Sequence, residues 1–469
     1  MNSSGYDADR QPSQLEAQIE LITGAWAQEG TDIGIAYRSD GDLDFMYQQG
    51  VILVRTNDLD EVRRVLGRAF GERHPDRANN AGQQQDPRGG QAPGQAPGRG
   101  PGRGEEDHSL AEITLYSLAG TGFSTLEALE IIDRDLGPGV ATPNHILSIT
   151  PVLACPATEP GGVPLGMTPD PGPCDPGPGG PGGGGVSIYV PDTGLLKDAA
   201  DHHPWLAGVT GQTDKLMPEA DGLVIIGEYT GHGTFVAGVA RCMAPGAAVH
   251  VTDDFTMAGA LSEFRVVQKL NQALGLGVDI ISLSAGCTTR HNLPLLSFES
   301  FWIRYRDCKG VQLVAAAGNN STNRPFWPAA FPQVVAVGAL DSARNGRAYF
   351  SDFGSWVDVY APGENLINAY ARGLYIYREP PRIGEDHEFH GMARWSGTSF
   401  ATPLVSGLIA ARMTRTGESA PLAAAALIAA ARTQRIPGVG PVLRPCNTGD
   451  HGGQSAGCGC GCGCQPRCR

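Results

Sequence analysis

Four residues in this chain have the types and settings for a reaction in which negative charge builds up on oxygen. Ser399 opens GTSFATPLVSGLIAARM, an apolar helix with small residues along one face. At a helix N-terminus the free backbone N–H groups and the helix dipole favour developing negative charge. Pro403 follows within the first turn or so, where its missing N–H costs least. His232 stands between two glycines in GHGTFVAGVA, where it can be reached from outside, and Gly233, Ala237 and Gly238 allow close packing behind it. Asp192 ends the apolar run VSIYV and enters the turn PDTG, so a carboxylate buried there needs a partner. Asn319, in the loop GNN after QLVAAAG, carries an amide able to donate to an oxyanion. Each has a plainer reading when taken alone. The Asp and the Asn are common turn residues, the Ser a helix cap, and the His a cap or a metal ligand.

The elements that must position these residues are short apolar strands. VSIYV, AAVHVT, DIISLS, QLVAAAG and VVAVGAL recur with helix-like stretches between several of them. Strands hydrophobic on both faces and separated by helices predict a mostly parallel sheet covered on two sides. In such a sheet, functional residues gather at the C-terminal strand ends, where Asp192 and Asn319 fall.

Low-complexity segments divide the rest of the chain. Between Pro160 and Gly185, 19 of 26 residues are Gly or Pro, and the reading is a flexible linker over 158–185. A second such segment, about 72–106, interrupts a first region of residues 1–157. That region reads strand (GVILVRT), helix (LDEVRRVLGRAF, with Asn57-Asp58 offering a cap), insert, strand (EITLYSL), helix capped by Ser124, strand (HILSIT). A ferredoxin-like α/β plait needs one strand more, which the insert displaces or conceals; any other small α/β domain is the alternative. The main body is placed at 186–444 and a Cys/Gly-rich tail at 445–469. Cys458, Cys460, Cys462, Cys464 and Cys468 make CxC repeats that could chelate a soft metal, be modified or crosslinked, or be low-complexity drift.

With 35 basic and 49 acidic residues, the formal net charge of −14 argues against a nucleic-acid or anionic-membrane partner. No run approaches the roughly 18 apolar residues of a membrane helix, and residues 1–18 have no signal-peptide pattern. The expectation is a cytoplasmic protein with mostly reduced thiols.

Taken together, PDTG, GHGTFVAG, DIISLSAG, AAAGNN, FSDFGSWVDVYAPG and WSGTSFATPLVSG resemble the subtilisin-like serine proteases (subtilases). They occur in that family's Asp, His, Ser chain order, from Val186 to about Arg432. The resemblance implies a three-layer α/β fold with a mostly parallel central sheet, preceded by the small ferredoxin-like domain. It implies a serine endopeptidase acting on peptides or proteins, with Ser399 as nucleophile, His232 as general base and Asp192 as its orienting partner. Asn319 and the Ser399 backbone N–H would form the oxyanion hole. Ser284-Ala285-Gly286 matches the edge strand that pairs with extended substrate, its plainer reading being a core strand end. The first region would be a propeptide that blocks the cleft until self-cleavage beyond Ile149, or a permanent regulatory domain. No cofactor is required for catalysis. Many relatives bind structural calcium, but no calcium loop is matched here, and His202-His203 and Asp253-Asp254 make no metal site.

Two departures stand out. Cys287 replaces a usual glycine, and a thiol beside the substrate channel could narrow it or make it oxidation-sensitive. Residues 375–394 form a polar, acidic insert that either overhangs the site or, the favoured reading, is only a surface loop. Two other classes stay open: a catalytically silent peptide-binding scaffold on the same fold, and a metal-handling protein acting through its tail.

Overall fold

A computed structural model describes residues 14–73, 109–149, 157–174, 185–214, 224–255 and 258–445. Most of the 72–106 insert, Cys155 and the cysteine-rich tail lie outside these residues.

The N-terminal region contains helix α1 (Gln14–Gln28), strands β1 (Ile33–Tyr37) and β2 (Leu43–Arg55), helix α2 (Leu59–Arg73), strands β3 (Ser109–Leu110) and β4 (Ile113–Ser117), helix α3 (Thr125–Leu136) and strand β5 (Ala141–Ser148). From β2 onward the order is β-α-β-β-α-β, which is the ferredoxin-like plait. The strand that sequence reading could not find is β3, only two residues long and directly after the insert. Too short to show periodicity, it is held by antiparallel pairing to β4. Ser124 caps α3 in a full capping box: its Oγ accepts from Glu127 N at 3.3 Å, and Ser124 N donates to Glu127 at 2.9 Å. The start of α2 differs from expectation. Thr56–Asp58 form a 3₁₀ turn that runs straight into the helix, with no side-chain cap.

The peptidase-like region supplies strands β6 (Ser187–Asp192), β7 (Thr210–Gly211), β8 (Ile225–Ile226), β9 (Ala248–Asp253), β10 (Ala260–Ser262), β11 (Ile280–Leu283), β12 (Gln312–Ala316), β13 (Val335–Leu340), β14 (Val359–Pro362), β15 (Leu366–Ile376) and β16 (Asp386–Trp395). Its long helices are α4 (His232–Met243), α5 (Glu263–Gly275), α6 (Phe298–Tyr305), α7 (Thr398–Thr416) and α8 (Ala420–Thr433). Seven strands form a sheet in the order β14-β13-β12-β11-β6-β9-β7, every neighbouring pair parallel. Every residue of β11, β12 and β13 is buried, as a sheet covered on both faces requires. Helix α7 lies across this sheet beside α4. The close crossing depends on Gly407, where a Cβ would stand 2.6 Å from Ala240 O. The result is the expected three-layer α/β architecture.

Two segments differ from the sequence reading. Residues 375–394 are mostly paired backbone: β15 and β16 form a long antiparallel hairpin, with β8 added in parallel to β15. The polar look of the insert comes from alternation. Phe389, Ala393 and Trp395 face inward while Glu388, His390 and Arg394 line the other side with less cover. The first half of the expected free spacer is also placed. Ala157 N donates to Ser396 O, Gly161 pairs with Arg394, Asp170 pairs with Ile367, and Cys174 N donates to Cys242 O. Extended Gly/Pro chain has no core to form, but its backbone groups can still pair with an exposed strand edge. Among the described residues, no helix is long and apolar enough to cross a membrane.

Candidate active site

Asp192 and His232 meet at the C-terminal end of β6. Both side chains are fully buried, and His232 Nδ1 lies 2.7 Å from Asp192 Oδ1. A carboxylate oxygen accepts, so Nδ1 is the donor in this pair. Asp192 Oδ1 also accepts from Thr193 N at 2.8 Å. His232 is the first residue of α4, reached through Gly231 at φ +86°, a left-handed turn that suits glycine. Gly233 leaves room for the carboxylate, because a Cβ there would stand 2.4 Å from Gly194 O and 3.1 Å from Asp192 Oδ1. The imidazole packs against Phe400 (ring centroids 5.4 Å apart) and the edge of Trp395 (5.6 Å). Its buried Nε2 has no hydrogen-bond partner.

Asp214 is a residue that sequence reading missed. One of its oxygens accepts from Gly231 N at 2.7 Å and from Thr193 Oγ1 at 3.2 Å, and that hydroxyl in turn accepts from Gly233 N at 3.1 Å. It thus ties the Asp192 turn to the first turn of α4. Nothing in its local sequence marks this role.

Ser399 lies in the first turn of α7 and is buried. Pro403 falls inside that helix rather than at its start. As a proline it cannot donate to the carbonyl four residues back, which is that of Ser399. Ser284 Oγ takes the vacant place, donating to Ser399 O at 2.8 Å. Asn319, in the loop after β12, accepts through Oδ1 from both Thr398 N and Thr398 Oγ1 at 2.9 Å. Its amide plane is therefore fixed against the residue before Ser399.

Beneath the Asn319 loop, Asp352 accepts from Asn320 N and Thr322 N at 2.9 Å each. Burial outweighs these bonds and pushes its carboxyl up to about 7. Asp352 sits in the quoted stretch FSDFG, yet its burial could not be read there.

The cleft beside Ser399 holds the end of the N-terminal region. Strand β5 pairs antiparallel with β10, and Ser148 exchanges two 3.1 Å backbone bonds with Gly286. Ile149 N donates to Gly259 O at 2.9 Å, and Ser399 Oγ donates to Ile149 O at 3.3 Å. Ala285 is buried beside this pairing. Cys287 is tied to the far side, exchanging 2.9 Å bonds with Trp327. Burial pushes its thiol well above the usual range, with the Glu263 charge adding to the effect. Oxidation sensitivity needs the opposite shift, so that expectation for Cys287 is corrected. Among the described residues, no three His, Cys, Asp or Glu side chains gather where they could hold a metal ion.

A family model described as the subtilase family, peptidase S8, matches residues 183–458, more than half of the chain. The chain belongs to the subtilase family. Among curated subtilase relatives, the thermophilic serine proteinase of Bacillus sp. (strain AK1) is 32% identical over 228 residues, covering 44% of this chain and 51% of that protein. Thermitase of Thermoactinomyces vulgaris is 31% identical over 247 residues, covering 50% and 77%. This chain spans about half the length of the first of these relatives. The solved prenylagaramide maturation protease PagA is 25% identical with a TM-score of 0.41, covering 53% of this chain and 85% of that one.

Proposed function

We propose that this subtilase is a serine endopeptidase working through an acyl-enzyme, with Asp192, His232 and Ser399 as its triad. Ser399 Oγ attacks the substrate carbonyl and passes its proton to His232 Nε2. Asp192 holds the ring with Nδ1–H inward and stabilises the imidazolium that forms. The Asn319 amide and the Ser399 backbone N–H receive the oxyanion at the N-terminus of α7. The imidazolium then protonates the leaving amine. Water, deprotonated by the same Nε2, releases the acyl group and restores Ser399. Substrate lies extended between β10 and Ser284–Gly286.

The N-terminal region is its own inhibitor, held in this cleft until self-cleavage beyond Ile149. One observation carries the reading: the carbonyl of Ile149 meets Ser399 Oγ at 3.3 Å on a strand paired from both sides. The test is fluorophosphonate labelling with N-terminal sequencing of wild type and Ser399→Ala. Wild type is expected to label at Ser399 and to begin beyond Ile149, whereas the variant does neither. Wild type that neither labels nor processes defeats the proposal.

A further inference from the structure

The strand lying in the cleft is recognised at alternate positions, and each contact has a distinct chemistry. His145 and Glu263 are both essentially unexposed (1% and 0%), with Nδ1 3.0 Å from Glu263 Oε2. Arg290 N donates to the other ring nitrogen, Nε2, at 3.2 Å. The neutral imidazole has one donor and one acceptor, and the peptidase region meets both. Lysine or arginine, which only donate, would set a cation against the Arg290 N–H. Glu263 begins α5, and its other oxygen accepts from Ser297 N at 3.3 Å. Two residues on, Leu147 is wholly buried in the main core of the peptidase region.

Two further on, Ile149 lies against Gly259 and Tyr229. Gly259 has φ +65°, and a Cβ there would stand 2.9 Å from Ile149 Cγ1, 3.1 Å from its Cδ1 and 3.0 Å from Tyr229 Cδ1. The recess therefore exists because residue 259 has no side chain. Positions 145, 147 and 149 share one face of the strand.

We propose that this cleft selects extended peptides carrying histidine, leucine and a branched aliphatic residue at alternate positions on the acyl side of the bond to be cut. Glu263 and Gly259 are the specificity-determining residues. The proposal rests on the peptidase reading above, and it names the substrate class of that same site.

The test uses the full chain after self-processing and quenched peptides of sequence TPNHILSITPVL, the chain's own residues 142–153. Replacing the peptide's histidine by Ala, which leaves both Glu263 and the Arg290 N–H unpaired, or by Lys, which sets a cation against the Arg290 N–H, is expected to lower kcat/KM at least about 100-fold. Replacing its Leu, or the Ile of the final Ile-Thr-Pro, by Ala lowers it about 10–200-fold. With Glu263→Ala the His-over-Ala ratio falls to within about threefold, while Glu263→Gln, which keeps an acceptor, holds a larger ratio. With Gly259→Ala the Ile-over-Ala preference collapses or reverses. Each result is a ratio of two peptides on one enzyme, so a partly folded variant does not alter it.

Wild type that cuts all the peptides alike, or variants that keep the parent ratios, overturn this inference and leave the peptidase reading intact. So does a wild type that labels at Ser399 yet leaves the parent peptide whole. Absence of both cleavage and labelling overturns the two together.

Discussion

The N-terminal and peptidase regions are built differently inside and joined by something different again. The peptidase region has a large apolar core running from Val186 through Leu443, which Leu147 and Ile149 of the N-terminal region join, and a small satellite cluster around Tyr360. The N-terminal region has small separate clusters, one between its sheet and helices α2 and α3 and another under α1. Burying a Val, Leu or Ile is worth about 1.5–3 kcal/mol, so the larger core holds its fold far more firmly. The junction itself sets a small apolar cluster of Leu53, Ile113, Phe264 and Leu296 among many polar groups. Arg55 donates twice to Glu299 (2.5 and 2.8 Å), Arg324 pairs with Asp44 at 2.6 Å, Arg290 pairs with Asp133, and His145 meets Glu263. Junctions of this kind resemble transient interfaces more than cores. The contrast suits the proposal that the N-terminal region departs and the peptidase region remains.

The largest effect expected is that of Ser399→Ala. Turnover should fall by about 10⁴–10⁶, with the chain uncut and β5 still protected from hydrogen exchange. Rapid exchange of β5 in that variant would break the comparison, because docking would then need no cut to fail. Next, Asn319→Ala should lower kcat by about 10²–10³ with KM little changed, as measured by steady-state peptide hydrolysis.

Asp352 probes the peptidase region. Its carboxyl lies at about 7 against an ordinary 3.8, so folding favours the neutral acid. That contribution is complete below the ordinary value and is lost as pH rises toward 7. In a Ser399→Ala background, wild-type residue 352 should cost stability on the order of a few kcal/mol between about pH 4 and 7. Denaturant unfolding of Asp352→Asn should show a flatter pH slope.

The junction pairs should differ by burial. Asp133→Ala strands Arg290, whose side chain is only 13% exposed, and should speed exchange of β5 by about tenfold. Arg55→Ala removes a pair exposed at 36% and 46%, and should change it less than about fivefold. Equal effects would show that burial does not grade this junction. Processing should also separate two segments docked on the peptidase region: β5 loses protection, while residues 157–174 keep theirs through Gly161, Asp170 and Cys174.

Much of the site was legible because its residues sit at element ends with distinctive neighbours. Asp192 after VSIYV, His232 between glycines and Ser399 before an apolar helix follow from chain-local rules of strands, turns and caps. The five-part order β2, α2, β4, α3, β5 was equally readable, since each element carries its own period. Residues defined by long-range contacts were not readable. Asp214 looks like any loop aspartate until Gly231 and Thr193 come to it. Strand β3 is too short for a pattern, and the hairpin of residues 366–395 hid behind alternating charge.

The sequence by itself determined which residues could do chemistry and which stretches could form a covered parallel sheet, because periodicity and turn chemistry act over a few neighbours. Only the tertiary structure decided that Ile149 faces Ser399, that His145 meets Glu263 and that 157–174 is tied to β16, β15 and α4 rather than hanging free. Those placements depend on backbone groups and buried charges finding partners from distant parts of the chain.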